Sequence, residues 1–314
     1  KFGAPTVFYD AQENVSRGDF LRTMYSFSEE GQFAGTTQVR TQRFYNSTMT
    51  RLYYYHGSAR QPSPIVFDWE PRQVQTGGGE SVTVPSNPQG EQSFVRTFDN
   101  MSAAEAYVAN DSTSQIGGFA GRPSEYVPAL EEYRMVSATE RTSTRYYRLL
   151  NRFGLSGLTH GSSSIPAFTK VFERVDGATI SGEGPVNATV TANVEMNVPA
   201  QNTSFTYTQR AETGANGEFT MRVPYSTTGY EEWGTEEGYT NVSVRANSSY
   251  TLTASVPDGD GNMTTYTDTV SVTEGQVVGE NATDTEADLT PESGSNDTAA
   301  SIDVAGTNLY AAAE

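Results

Sequence analysis

Beyond Asp176 the apolar residues of this chain recur with a period close to two, and no other feature restricts its fold as strongly. Residues 189–194 read Thr-Val-Thr-Ala-Asn-Val and residues 219–223 read Phe-Thr-Met-Arg-Val, with similar stretches at 206–208, 242–244 and 250–256. Successive side chains of a strand point to opposite faces, so this pattern belongs to strands with one buried face. Asn216-Gly217, Asp258-Gly259 and Asp260-Gly261 are turn dipeptides between them. Together they predict a small antiparallel β-sandwich over residues 176–275.

The first part of the chain mixes periods. Short strands are expected at residues 7–9, 65–67, 81–84 and 115–119. Residues 16–26 read as a helix because Phe20, Leu21 and Met24 fall at helical spacing, and residues 42–56 do so through Phe44, Tyr45, Leu52 and Tyr55. Ser102-Ala103-Ala104-Glu105 has the form of a capping box opening a helix over 103–109. Two more helices are expected at 125–133, running into 134–136, and at 144–153. Residues 1–175 are therefore expected to form one α+β domain. From residue 276 onward the chain has eight acidic residues and no Lys or Arg, which predicts a disordered acidic tail over 276–314. The fold class is thus α+β: a mixed helix and strand domain, a sandwich and a tail.

The formal net charge is −18, and the only lysines are Lys1 and Lys170, against 18 Arg. Many acids, few lysines and many threonines point to adaptation to molar salt, where a Debye length of about 3 Å screens self-repulsion. The same charge argues against nucleic acid and anionic membrane surfaces as partners. The absence of cysteine excludes disulfides, thiolate nucleophiles and Cys-ligated zinc. No window is long and apolar enough to span a bilayer. The chain opens on Lys1 and enters an apolar stretch at once, so it reads as the C-terminal part of something longer. Eleven Asn-x-Ser/Thr sequons occur among 17 Asn, at Asn14, Asn46, Asn100, Asn110, Asn187, Asn202, Asn241, Asn247, Asn262, Asn281 and Asn296. Chance would give about four. The excess suggests a surface that meets an N-glycosylation machinery on the cell exterior.

The chemistry-bearing residues form no complete catalytic set. His56 and His160 lie in no spaced ligand motif and read as surface or helix-end histidines. A nucleophile elbow is missing, and Gly77-Gly78-Gly79 lacks the Lys-Ser/Thr of a phosphate-binding loop. Asp258-Gly259-Asp260-Gly261-Asn262 begins like a calcium loop, but Met263 and Thr269 stand where its Gly and Glu would be. Tyr53-Tyr54-Tyr55 and Arg145-Tyr146-Tyr147-Arg148 suit helix packing better than a polar groove. No catalytic or metal-ligating residue is assigned.

Five segments, KFGAPTVFY at 1–9, RLYYYHGSA at 51–59, YVPALEEYR at 126–134, KVFERVDGA at 170–178 and VPYSTTGY at 223–230, resemble the C-terminal extracellular region of haloarchaeal oligosaccharyltransferases. The resemblance implies part of a membrane glycosyltransferase that moves a lipid-linked glycan to the Asn of a sequon. This part would help hold the acceptor polypeptide, be inactive alone, and lie on the extracellular face of the membrane. The lipid-linked oligosaccharide on its dolichyl phosphate carrier would be bound by a transmembrane domain absent from this chain. The family's divalent cation (Mn or Mg) would likewise have its ligands outside this chain. The family's Trp-Trp-Asp-Tyr-Gly motif is absent, since Trp69 and Trp233 are not adjacent. Another family element sets a Lys beside the Ser/Thr pocket with a Met or Ile four residues later. Lys1 would be that Lys and so a substrate-binding residue, although Pro5 stands at the later position. The sandwich would be an accessory module. A rival expectation is a glycosylated surface-layer or adhesion module without enzymatic activity.

Overall fold

In the computed structural model, residues 16–91, 93–140, 169–257 and 262–292 are described. Strands dominate and helices are few, in an α+β arrangement. The chain divides into two compact units. Of the described residues, one contains those within 16–54 and 60–127, and the other those within 55–59 and 128–292. The division therefore falls near residue 127, not at 175, because residues 55–59 and 128–140 bond to the strands that follow them.

The first unit opens with β1 (Leu21–Phe27), β2 (Phe33–Arg40), α1 (Gln42–Asn46) and α2 (Thr48–Tyr53). β3 (Ile65–Phe67), β4 (Glu70–Gln75), β5 (Ser81–Ser86), β6 (Val95–Thr97), α3 (Met101–Asn110) and β7 (Gln115–Ile116) complete it. One sheet has the order β2-β1-β5-β4 and the other β6-β3-β7. Met24, Val39, Phe67 and Phe94 are buried together, with the rings of Phe67 and Phe94 stacked at 4.9 Å.

Several expectations fail here for identifiable reasons. Residues 21–27 are a strand, not a helix, and pair with β2 residue by residue. Phe20, in the turn just before the strand, and Met24, within it, are both buried, and their spacing of four mimics a helix. The helix expected over 42–56 is broken at Ser47, whose extended backbone (φ −65°, ψ 138°) lets its hydroxyl cap α2 at Thr50 N. It ends before His56 and Gly57, both at positive φ. The cap of α3 is Asn100, whose Oδ1 accepts the Ala103 N–H at 2.9 Å, rather than Ser102. Residues 125–133 are not helical: Pro128 restricts Val127 to extended backbone, and Val127 bridges Arg60. The expected strand 7–9 and helix 144–153 lie outside the described residues.

The second unit contains β8 (Tyr133–Ala138), β9 (Lys170–Arg174), β10 (Ala178–Glu183), β11 (Thr189–Val198), β12 (Thr203–Glu212) and β13 (Glu218–Val223). It continues with β14 (Arg245–Ala246), β15 (Tyr250–Pro257), β16 (Met263–Val270), α4 (Glu274–Val277), β17 (Thr285–Asp288) and β18 (Thr290–Pro291). A sheet of order β12-β11-β15-β16-β18, with β14 on β11, and a sheet of order β13-β10-β17 share one core. Along β11, Val190, Ala192, Val194, Met196 and Val198 are buried, as the period of two requires. The alternation expected at 242–244 does not form a strand, although Val242 and Val244 are buried.

The acidic tail does not begin at residue 276. β17 pairs with β10 in parallel and β18 pairs with β16. Val277, Ala287 and Leu289 belong to the core, and those apolar contacts outweigh the acidic composition around them.

Candidate functional site

The second unit is built around a buried ionic centre. Arg134 on β8 is 1% exposed, as is Glu274 at the start of α4. The guanidinium donates through Nε and Nη2 to Glu173 Oε2 at 3.0 and 2.9 Å, and through Nη1 to Glu274 Oε2 at 2.8 Å. Ser226 Oγ also donates to Glu274, and Thr240 Oγ1 donates to Glu173 Oε1 at 2.5 Å. Every charge faces an opposite charge or a hydroxyl, so this centre holds β8, β9 and α4 together rather than presenting a reactive group.

Beside it lies a set of buried phenols. Tyr225 OH accepts the Met135 N–H at 2.8 Å and donates to the His56 carbonyl at 3.1 Å. Tyr250 OH donates to the Tyr225 carbonyl at 2.8 Å. Burial pushes the pKa of both phenols well above its ordinary value. His56, expected on the surface, is buried: its ring packs on Phe205 at 4.4 Å and its Nε2 lies 2.7 Å from Lys170 Nζ. Sequence reasoning missed this because His56 sits on a five-residue excursion into the second unit, where Ala59 N donates to Thr208 O.

An open cleft of about 350 Å³ in this unit is lined by Thr228, Gly229, Glu232, Trp233, Thr273, Gly275 and Asn281. The Trp233 indole lies against Gly275, where a Cβ would stand 3.1 Å from Nε1, so a larger residue there would press on the ring. Tyr239 braces the indole edge to face at 5.2 Å, and its hydroxyl donates to Glu280. An aromatic ring beside hydroxyls, an amide and a carboxylate is a polar-ligand surface, without any nucleophile and base pair.

In the first unit a shallow depression of about 480 Å³ is lined by Phe98, Ala103, Ala106, Tyr107, Asn110 and Asp111. Behind it, Asp68 Oδ2 accepts from Arg96 Nε at 2.5 Å and from Tyr107 OH at 2.8 Å. Hydrogen bonding to Asp68 pushes the Arg96 pKa further up, and desolvation followed by that same carboxylate raises the Tyr107 pKa.

Among the described residues no three His, Asp or Glu side chains group closely enough to hold a metal ion. These residues do not fit a divalent cation. Lys1 and His160 lie outside the described residues, so the substrate-binding role expected of Lys1 has no geometry here. All nine sequon asparagines within the described residues are exposed, whereas Asn87, which is in no sequon, is buried.

Residues 177–282 match the family model described as the archaeal glycosylation protein B long peripheral domain. The match takes in β10 to β16 and α4, and so the Trp233 cleft and Glu274. The likeness extends well beyond the peripheral domain. Over 292 residues the chain is 49% identical to the dolichyl-monophosphooligosaccharide–protein glycotransferase AglB of Haloferax volcanii, covering 89% of this chain and 27% of that protein. The chain thus spans about a quarter of the curated relative it matches. Solved structures of an oligosaccharyltransferase from Archaeoglobus fulgidus are more distant. The complex with Zn and sulfate gives a TM-score of 0.36 at 17% identity, covering 71% of this chain and 29% of that one. The complex of the same organism's AglB with an inhibitory peptide and a dolichol-phosphate gives 0.35 at 15%, covering 71% and 27%. Scores this low carry no fold assignment.

Proposed function

We propose that this chain is the soluble C-terminal part of a membrane oligosaccharyltransferase that transfers a lipid-linked glycan to the Asn of Asn-x-Ser/Thr sequons. The observation that carries this reading is the 49% identity over 292 residues to the Haloferax volcanii glycotransferase, which embraces both units rather than one shared module. The role assigned to this part is positioning. Glycan transfer to an amide needs the acceptor peptide held extended and oriented, and positioning of that kind can supply several kcal/mol of the barrier. A strand-rich framework stapled by the Arg134 centre is a rigid base for it. Lys1 remains the residue proposed to stand beside the acceptor. The divalent cation, Mn or Mg, and the dolichyl phosphate carrier belong to parts of the enzyme outside this chain. The chain works on the extracellular face, anchored by a membrane domain; none of its described helices is long and apolar enough to cross a bilayer.

The exposure of all nine described sequon asparagines also fits a glycosylated surface-layer module. The identity to a glycotransferase favours the enzyme. Two measurements test it. The isolated chain, supplied with lipid-linked glycan, divalent cation and a sequon peptide, is expected to give no glycopeptide. In the whole enzyme, a photo-reactive sequon peptide is expected to label this part of the chain, and labelling confined to other regions removes the holding role.

A further inference from the structure

We propose that Asn281 is itself an N-glycosylation acceptor and that the sugar attached to it seats against Trp233 in the adjoining cleft. The inference rests on the reading above only for the exterior location and the presence of a glycan donor.

Asn281-Ala282-Thr283 is a sequon just beyond α4, and its asparagine is exposed. Asn281 Oδ1 accepts the Thr283 N–H at 3.0 Å, which orients the carboxamide, and Nδ2 has no partner among the described residues. Asn100 is oriented in the same way, through the Ala103 N–H, but lines no cleft of the second unit, and other sequons differ further. Asn110 Nδ2 is already spent on the Ala106 carbonyl at 2.8 Å, and the Asn247 side chain bonds to Glu195. Asn187 and Asn202 sit in left-handed backbone, at φ 52° and 47°. Asn281 combines an oriented carboxamide and an unengaged Nδ2 with a place on the rim of a cleft.

The cleft suits a pyranose. Its volume of about 350 Å³ falls at the lower end of ligand pockets, which run from roughly 300 to 1,000 Å³. Trp233 offers an indole for the apolar C–H face of a sugar ring and an Nε1–H donor for its hydroxyls. Thr228 and Glu232 offer a hydroxyl and a carboxylate for the ring hydroxyls, and a carboxylate is the stronger acceptor. The acceptor and the indole are tied to the same residue. The N–H groups of Glu280 and Asn281 both donate to the Gly275 carbonyl at 2.9 Å, and Gly275 is the residue on which the indole rests. A sugar on Asn281 therefore starts beside Trp233 and has little freedom to lose on seating.

In the transfer, Nδ2 of Asn281 forms a C–N bond to the anomeric carbon of a lipid-phosphate-linked saccharide. The anomeric C–O bond breaks, the lipid phosphate leaves with that electron pair, and one Nδ2 proton is released to solvent.

The test uses the 314-residue chain exported from a haloarchaeal host whose own surface proteins are glycosylated. Glycopeptide mass spectrometry is expected to find Asn281 mostly glycosylated, with at least a tenfold loss of that glycopeptide in Thr283→Ala, which leaves Asn281 in place. With only two tryptophans in the chain, the indole N–H resonances of Trp69 and Trp233 are easily told apart. The Trp233 resonance is expected to differ between the glycosylated chain and Asn281→Gln, and the Trp69 resonance to stay put. A bare Asn281 beside occupied sequons overturns the proposal and leaves the transferase reading standing. Sequons bare throughout also overturn it, while transfer by the whole enzyme is read separately. A glycosylated Asn281 with an unmoved Trp233 resonance overturns it too, because the sugar then stands clear of the cleft.

Discussion

Arg134 is 1% exposed and its charge is balanced by Glu173 and Glu274 alone. Replacing it by Met leaves Glu274 buried without its cation, and breaking a buried pair in this way costs about 3–5 kcal/mol. Arg134→Met is therefore expected to lower the denaturant midpoint of the second unit, and adding Glu274→Gln to recover part of the loss. An unchanged midpoint would mean that the centre is not the staple described. Tyr225 gives a prediction in pH. Burial raises the pKa of its phenol in the folded chain, and that of Tyr250, while the unfolded phenols titrate near 10. Above pH 10 the unfolded chain holds fewer protons than the folded one, so stability falls as pH rises. The stabilisation is complete below about pH 10 and is lost toward the raised folded values, at up to about 1.4 kcal/mol per pH unit for each such phenol. Tyr225→Phe is expected to flatten that alkaline slope, at the expense of leaving the Met135 N–H unpaired, which costs about 1–3 kcal/mol at neutral pH.

At the level of elements, β17 decides whether the sandwich of the second unit closes. It lies so close to β10 that a Cβ on Gly182 would stand 2.1 Å from the Ala287 carbonyl oxygen. Gly182→Ala must push that backbone away, and overpacking of this kind costs roughly 1–3 kcal/mol, visible as a lower melting midpoint. Ending the chain after residue 275 removes Val277, Ala287 and Leu289 from the core, whereas ending it after 292 removes no described residue. In molar salt the longer form is expected to unfold cooperatively and the shorter one to lose its second unit to limited proteolysis. The same elements show what was legible beforehand. The strands at 189–198 and 250–257 stood out because each keeps one apolar face against a core. β17 was hidden because Thr285-Glu286-Ala287-Asp288 presents a single small apolar residue among acids. β1 was misread because Phe20, just before the strand, and Met24, within it, are both buried and stand four residues apart. The Trp233 cleft was illegible because Trp233, Gly275 and Asn281 are brought together by the fold rather than by sequence spacing.

For the whole molecule, 38 acids against 20 Lys and Arg make salt part of the fold. Screening shortens the Debye length from about 10 Å at 0.1 M to about 3 Å at 1 M, which relieves repulsion between exposed carboxylates more than it weakens the close buried pairs. Thermal midpoints are expected to rise between 0.1 and 2 M KCl, and a flat or falling trend would remove the assignment to a saline environment. The identity to a glycotransferase spans both units, so the proposed function is tested with the chain placed in a larger enzyme. The most direct measurement is a segment exchange: the matching 292 residues of the Haloferax volcanii glycotransferase are replaced by this chain, and glycan occupancy on a host surface glycoprotein is read by mass spectrometry. Occupancy restored well above that of a version lacking the segment is the expected result. A chimaera that is made in normal amounts, reaches the membrane and transfers no glycan would contradict the assignment of this chain to an oligosaccharyltransferase.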